Sequence, residues 1–499
     1  MAVAPPSAAT ITTSSVIPYE GDDPLTLALA PPPDETAEQK QQREAAEAEA
    51  QRRSDEIDEQ IQKERELERR KKRPVKLLLL GQSESGKTAT LKNFQLTYAR
   101  REWTEERLLW KSVIFFNLVR NVNEILDILT QEMSRSATTL ADNSSDDSSA
   151  DESPNVPLKF KETHRLLKLR LGPLRRIQTD LERRLGNAAL EVKTTDVMTA
   201  APFGKPAVNE FSINATNGWK TAFDKLKAIR RPEMGALQQT KDEEDEIADV
   251  VAGCREDMKA IWEDPVIREM LVRRRDRIED SPGFFLNDAE RIAVRNYQPT
   301  DDDIIRARLR TLGVQEYRFI FDHGRTVGQE WRIYDVGGTR SSRVAWYPYF
   351  DDVDAIIFLA SAGRLLFAFA FAESFPTDRR INRLEDSYLL WKSVCACKLL
   401  SRTQIILFLN KCDLLQAKLA RGVKIRDSVP SYGDRANNLT MATKYFQQHF
   451  REISRQSSPV TRPFYVHMTS VIDTRSTAAT LGAVEESILR DHLRRADLM

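Results

Sequence analysis

The segment Val75 to Thr88, VKLLLLGQSESGKT, constrains the fold of this chain more than any other. Its leucine run is too short for a helix and reads as a strand buried on both faces. Gly81 and Gly86 permit a tight turn in which successive N–H groups converge on phosphate oxygens. Lys87 supplies a point charge for β- and γ-phosphates, and the Thr88 hydroxyl is a ligand for Mg²⁺. The helical segment TATLKNFQLTY follows, so the positive end of a helix meets the same spot. A strand before and a helix after make this a nucleotide-binding loop, with Glu84 and Ser85 inside it, rather than a glycine-punctuated turn.

The 499 residues could hold two or three domains. Lys plus Arg equals Asp plus Glu, so overall charge gives no argument for nucleic acid. Cys254, Cys395, Cys397 and Cys412 form neither a disulfide framework nor a zinc pattern, which fits a reducing compartment. Cys395 and Cys397 read as small packed residues, not a redox pair. MAVAPPSAATITTSSV has neither the basic start nor the apolar core of a secretory signal. The most apolar stretch, 356–372, contains Gly363 and Arg364 and reads as a core strand plus a loop, so a soluble chain is expected.

Residues 1–35, rich in Pro, Ala, Ser and Thr, are expected to be disordered. Residues 36–74 read as one long helix with a thin apolar stripe (Ile57, Ile61, Leu67), ending in the basic run 69–73. Trp103, Trp110, Val113, Ile114, Phe116, Val122, Ile125 and Leu129 recur at helical spacing as core. The acidic, serine-rich stretch 134–157 is expected to be a mobile loop open to phosphorylation, and 187–243 a second insertion. Leu174, Ile177, Leu181 and Leu185 form another amphipathic helix. From Thr311 onward, apolar runs at 317–321, 329–334, 355–359, 404–409 and 464–468 alternate with helical stretches. That pattern predicts an α/β fold with a mostly parallel sheet. The strand at 75–80 joins the same sheet. The expected division is 75–95 and 304–499 for the nucleotide-binding domain, with 96–303 as an inserted all-helical domain.

Further candidates fall at strand ends, where open α/β sheets bind ligands. WRIYD ends in Asp335, which can hold Mg²⁺ through water, and the Gly338 N–H can reach a γ-phosphate. QIILFL ends in Asn410-Lys411-Cys412-Asp413. The Asp413 carboxylate can accept hydrogen bonds from N1–H and the exocyclic amine of guanine, a pair adenine does not offer, and the Lys411 stem can lie over the purine. Val471, in the loop after the last strand, can present a backbone N–H to guanine O6.

With these residues in this order, the chain resembles the α subunits of heterotrimeric G proteins over roughly 50–133 and 255–499. The matching segments include DVGG, FDDVDAIIF, ILFLNKCDLL and HMTSVIDT. The resemblance implies a Ras-like P-loop GTPase domain with a helical insertion, GTP/GDP as ligand and Mg²⁺ as cofactor. It implies Arg308 as a built-in arginine finger and Thr311 as a second hydroxyl on Mg²⁺. It also implies a βγ dimer docking on the N-terminal helix and on 340–349, a G protein-coupled receptor reading the C-terminal helix, an effector, and a place at the inner face of the plasma membrane.

The chain departs from the family pattern in four places. Thr339 stands where the family usually has the glutamine that orients the attacking water, and Ser83 where it usually has glycine. Both bear on hydrolysis, so slow GTPase activity is expected. Cys412 in the guanine motif should matter little, whereas Val471 and Ile472 replace small residues and should loosen binding. With Ala2 after Met1 and no cysteine before Cys254, no N-terminal lipidation is expected, which leaves membrane contact to partners or the basic run. The alternative is a nucleotide-loaded interaction protein with negligible turnover; an ATPase is disfavoured by Asp413.

Overall fold

The computed structural model describes residues 36–70, 73–142, 158–186, 236–274, 278–309, 311, 313–340, 342–364 and 383–495. The chain divides into two compact units, residues 1–72 and 73–499. In the first, α1 (Ala37–Arg70) begins with a reciprocal cap: Gln39 N–H donates to Thr36 Oγ1, and Thr36 N–H donates to Gln39 Oε1 at 3.1 Å. Ion pairs one turn apart, such as Glu49 with Arg53, line its surface, and Ile57 and Ile61 are exposed. It is a solvated helix with a thin apolar stripe, as its sequence indicates.

The second unit is built on a six-stranded sheet in the order β2-β3-β1-β4-β5-β6. The strands are β1 (Val75–Gly81), β2 (Val314–Ile320), β3 (Glu330–Val336), β4 (Ala355–Ser361), β5 (Gln404–Asn410) and β6 (Tyr465–Met468). Only β2 runs antiparallel to its neighbour. The run in β1 alternates as a doubly covered strand must: Leu77 and Leu79 enter one core, Leu78 and Leu80 the other. Every expected strand is present, with ends shifted by a few residues.

Between β1 and β2 lie α2 (Lys87–Tyr98), α3 (Arg100–Glu106), α4 (Trp110–Asp142), α5 (Glu162–Arg170), α6 (Leu174–Leu185), α7 (Ala236–Gly253), α8 (Arg255–Glu263), α9 (Pro265–Arg274), α10 (Ala289–Ile292) and α11 (Asp301–Arg306). All four stripe residues of α6 are buried. The core of this helical region is continuous with the sheet face carrying Leu77 and Leu79. The other face is covered by α12 (Arg383–Ala396) and α15 (Leu439–Ser457), with α13 (Cys412–Ala420) and α14 (Ile425–Ser428) between β5 and α15. The final helix, α16 (Thr474–Arg495), returns to the first core through Leu481, Val484 and Ile488.

Two sequence boundaries need correction. Helix α4 continues to Asp142, into the stretch expected to be a loop from 134, and α7 starts at Ala236, inside the insertion expected to reach 243. Neither SRSATTLAD nor ALQQTKDE contains a proline or glycine, so nothing in them stops a helix. The expectations for 1–35, 143–157 and 187–235 lie outside the described residues. The expected divisions at 95/96 and 303/304 fall within α2 and α11. Cys395 is buried in α12, where burial pushes its thiol up to about 11, as a packing residue requires. Among the described residues no helix is long and apolar enough to cross a membrane.

Candidate functional site

The C-terminal ends of β1, β3 and β5 open into a cleft of about 560 Å³. Its lining brings together the loop after β1, the turn after β3, Asn410 at the end of β5 with Lys411 and Asp413 beyond it, the loop after β6, and residues 305–309 and 311 from the helical region. Residues more than 300 positions apart therefore meet where the sequence placed its candidates.

The loop after β1 is held from all sides. Gly86 caps α2 with φ near +104, and a Cβ there would come within 2.2 Å of Asn410 Nδ2, so only glycine fits. Asn410 is fully buried and acts as a staple. Its Nδ2 donates to the Ser85 carbonyl at 2.8 Å, and its Oδ1 accepts from Val471 N–H at 3.1 Å. Val471 thus reaches the cleft as expected, but this N–H is directed at Asn410. Glu84 and Lys411 are the two non-glycine residues with positive φ among the described residues, and both line the cleft. Ser85 Oγ is buried without a hydrogen-bond partner.

Lys87 is buried and donates to the carbonyls of Gly81 at 3.0 Å and Gln82 at 2.7 Å. Burial lowers its ammonium to about 8, partly offset by the Asp335 carboxylate. Asp335 is fully buried at the end of β3. Its Oδ2 accepts from the hydroxyls of Thr88 at 2.6 Å and Thr311 at 3.0 Å, and those hydroxyls are 3.1 Å apart. Burial raises the Asp335 carboxyl, against the lowering pull of Lys87 and the two hydroxyls. Its Oδ1 is buried without a hydrogen-bond partner. Two hydroxyls converging on a carboxylate with an orphan oxygen form a hard-oxygen set suited to Mg²⁺.

Arg308 pairs with Glu84 at 2.8 Å, which places its guanidinium at the loop. Gly338 packs so closely that a Cβ would meet Ser83 N at 2.3 Å, and its carbonyl accepts from Ser83 N–H at 3.1 Å. Thr339 faces the cleft, with its hydroxyl donating to Ser342 Oγ at 2.9 Å. Lys411 and Asp413 open α13 and line the far end. Cys412 is turned to its own strand, Sγ to the Leu409 carbonyl at 3.2 Å, and burial raises its thiol to about 11.

The family model for the G-protein alpha subunit matches residues 51–488, most of the chain. This chain belongs to the G-protein alpha subunit family. It is 29% identical to the guanine nucleotide-binding protein alpha-4 subunit of Mycosarcoma maydis, over 96% of each chain. It is 28% identical to the alpha-16 subunit of Caenorhabditis elegans, over 90% of this chain and 97% of that protein. It is 26% identical to the alpha-2 subunit of Neurospora crassa, over 89% and 95%. As a G-protein alpha subunit it is a guanine-nucleotide switch of signalling, in a family that binds the nucleotide with Mg²⁺ and works with βγ and receptor partners.

Sequence reasoning missed the residues that support this alpha subunit's cleft from behind. Gln82 occupies an unspecified position of the loop pattern, yet its Nε2 donates to Asp386 Oδ2 at 2.7 Å and to the Arg383 carbonyl at 2.8 Å. Asp386, on α12, also accepts from Arg343 at 2.6 Å and Arg340 at 3.1 Å. Burial alone would raise its carboxyl, but the two guanidinium groups and Gln82 hold it below its ordinary value. Asn93, nearly two turns into α2, ties the Val471 carbonyl at 2.8 Å. No local motif announces these contacts; only the polar character of residues within apolar runs could have signalled them.

Proposed function

We propose that this alpha subunit holds GDP or GTP in the cleft and hydrolyses GTP slowly. The observation that carries the reading is the convergence of Thr88, Thr311 and Asp335 beside Lys87, the arrangement a Mg²⁺–phosphate group requires. Thr88 and Thr311 would ligate the metal, and Asp335 would hold it through water. The bound ion would neutralise charge on the terminal phosphates. Lys87 and the N–H groups of residues 84–88 grip the phosphates, and the Gly338 N–H serves the γ-phosphate. Arg308 stabilises charge as the terminal phosphoryl departs. Asp413 selects guanine through the paired N–H groups of its edge, with Lys411 along the ring and Val471 closing the pocket.

Slow turnover follows from Thr339 and Ser83. The Thr339 hydroxyl is engaged by Ser342 and is too short to position water between itself and a γ-phosphate. Ser83 adds a side chain where that water and Arg308 must approach. The same hydroxyl geometry favours a second reading, a nucleotide-loaded signalling protein with negligible GTPase activity. α1 and the 340–349 segment are the surfaces proposed for βγ, α16 for a receptor, and those partners would carry the chain to the inner face of the plasma membrane. Residues 96–303 are proposed as the inserted helical domain.

Competition of unlabelled GTP and ATP against a fluorescent GDP analogue tests the base assignment. GTP is expected to displace it and ATP to fail at equal concentration; effective displacement by ATP removes the guanine reading. A single-turnover assay separates slow from negligible hydrolysis.

A further inference from the structure

Arg308 is held at two ends by different parts of the fold. Its guanidinium meets Glu84 of the phosphate loop at 2.8 Å. Its main chain is gripped by one side chain of the helical region: Arg308 N–H donates to Asn117 Oδ1 at 2.6 Å, and Asn117 Nδ2 donates to the Arg308 carbonyl at 3.0 Å. Asn117 is on α4 and only 3% exposed. A buried primary amide is costly unless its polar atoms are matched, and here one residue's peptide groups match both ends. We propose that Asn117 is a positioning residue for hydrolysis, setting the place of the Arg308 guanidinium from the helical region.

The surroundings support a fitted clamp. Gly283 turns with φ near +79 against this pair, and a Cβ there would come within 2.8 Å of Asn117 Oδ1 and 3.0 Å of Arg308 Cβ. One helical turn along α4, the buried Asn121 accepts from Phe285 N–H at 2.9 Å, so the same face of α4 fixes the turn beside Arg308. From the nucleotide side, Lys92 of α2 donates to the carbonyls of Ile304 at 2.8 Å and Ala307 at 2.7 Å. The segment leading to Arg308 is thereby tied to α2 before the arginine and to α4 at the arginine. Displacing α4 would move the guanidinium away from the loop, so the helical region contributes to the chemical step although Asn117 does not line the cleft.

The inference rests on the reading of Arg308 as the charge-stabilising group of a GTPase, and its test separates the two. In single-turnover hydrolysis, Asn117→Ala is expected to lower the rate about tenfold to a hundredfold, as a displacement near 1 Å does, with GDP and GTPγS affinities kept within about threefold. Asn117→Asp keeps the acceptor for Arg308 N–H but turns a carboxylate oxygen onto the Arg308 carbonyl, so it should lose at least as much as Asn117→Ala, and the uncharged Asn117→Ser carries the comparison if Asn117→Ala fails to fold. In an Arg308→Ala background, the Asn117 substitution should have no further effect on rate. An equal loss in both backgrounds, an unchanged rate, or affinity falling in step with rate overturns the proposal. A wild-type protein that binds GTP without hydrolysing it defeats the hydrolysis reading instead. Capture of fluoroaluminate by the GDP complex then decides: capture lost in both Asn117→Ala and Arg308→Ala upholds the clamp. Capture retained in Asn117→Ala, or absent from the wild type, overturns it.

Discussion

Thr339 and Ser83 both line the cleft, one from the turn after β3 and one from the loop after β1. Their backbones are already joined through Ser83 N–H and the Gly338 carbonyl. Thr339→Gln would restore an amide long enough to orient water and is expected to raise single-turnover hydrolysis, toward the 10²–10³ that such a group commonly contributes. Ser83→Gly should add a smaller gain, and the two gains should be non-additive because both act on one water. A rate unchanged by Thr339→Gln would place the slow step elsewhere. These residues were legible because each stands at a defined place in a short motif. Gln82 and Asp386 were not, since their contact spans 304 positions and depends on how α12 is laid across the sheet.

At the scale of elements, α11 shows how a short helix can be secured well enough to carry Arg308. Thr300 and Asp303 cap its start reciprocally, and Asp303 also accepts from Arg291 and from the Tyr297 hydroxyl at 2.8 Å. Burial alone would raise the Asp303 carboxyl; the hydrogen bonds from Arg291, Tyr297 and Thr300 win and hold it at about 2. A carboxyl depressed on folding contributes stability that is present above its ordinary value near 3.8 and lost as pH falls toward 2. Asp303→Asn is therefore expected to cost about 2 kcal/mol in urea unfolding at pH 7, by loss of charge-assisted bonds, and progressively less below about pH 4. A difference that stays constant through that range would refute the linkage. Sequence periodicity located α6 by its stripe and β1 by its leucines. It misjudged the end of α4 and the start of α7, because polarity signals exposure and exposed residues still continue a helix when no breaker intervenes.

At the scale of the whole molecule, the chain divides into residues 1–72 and 73–499, and among the described residues the two buried cores begin at Val75 and at Leu78. Removing residues 1–72 should leave GDP affinity within about twofold and the unfolding midpoint nearly unchanged, since among the described residues neither buried core includes a residue before Val75, while abolishing capture by a βγ dimer. A marked loss of nucleotide binding on that deletion would show that the first unit supports the cleft. The sequence by itself determined the phosphate loop, the sheet that carries it and the identity of most cleft residues. Those depend on local rules: strand length, glycine placement and the order of short motifs at strand ends. Tertiary structure alone decided which side chains hold those residues in place: Asn410 on the Ser85 carbonyl, Asp386 on Gln82, and Asn117 on Arg308. Each is a polar group buried with a partner far along the chain, and such pairings exist only once the sheet and helices have packed.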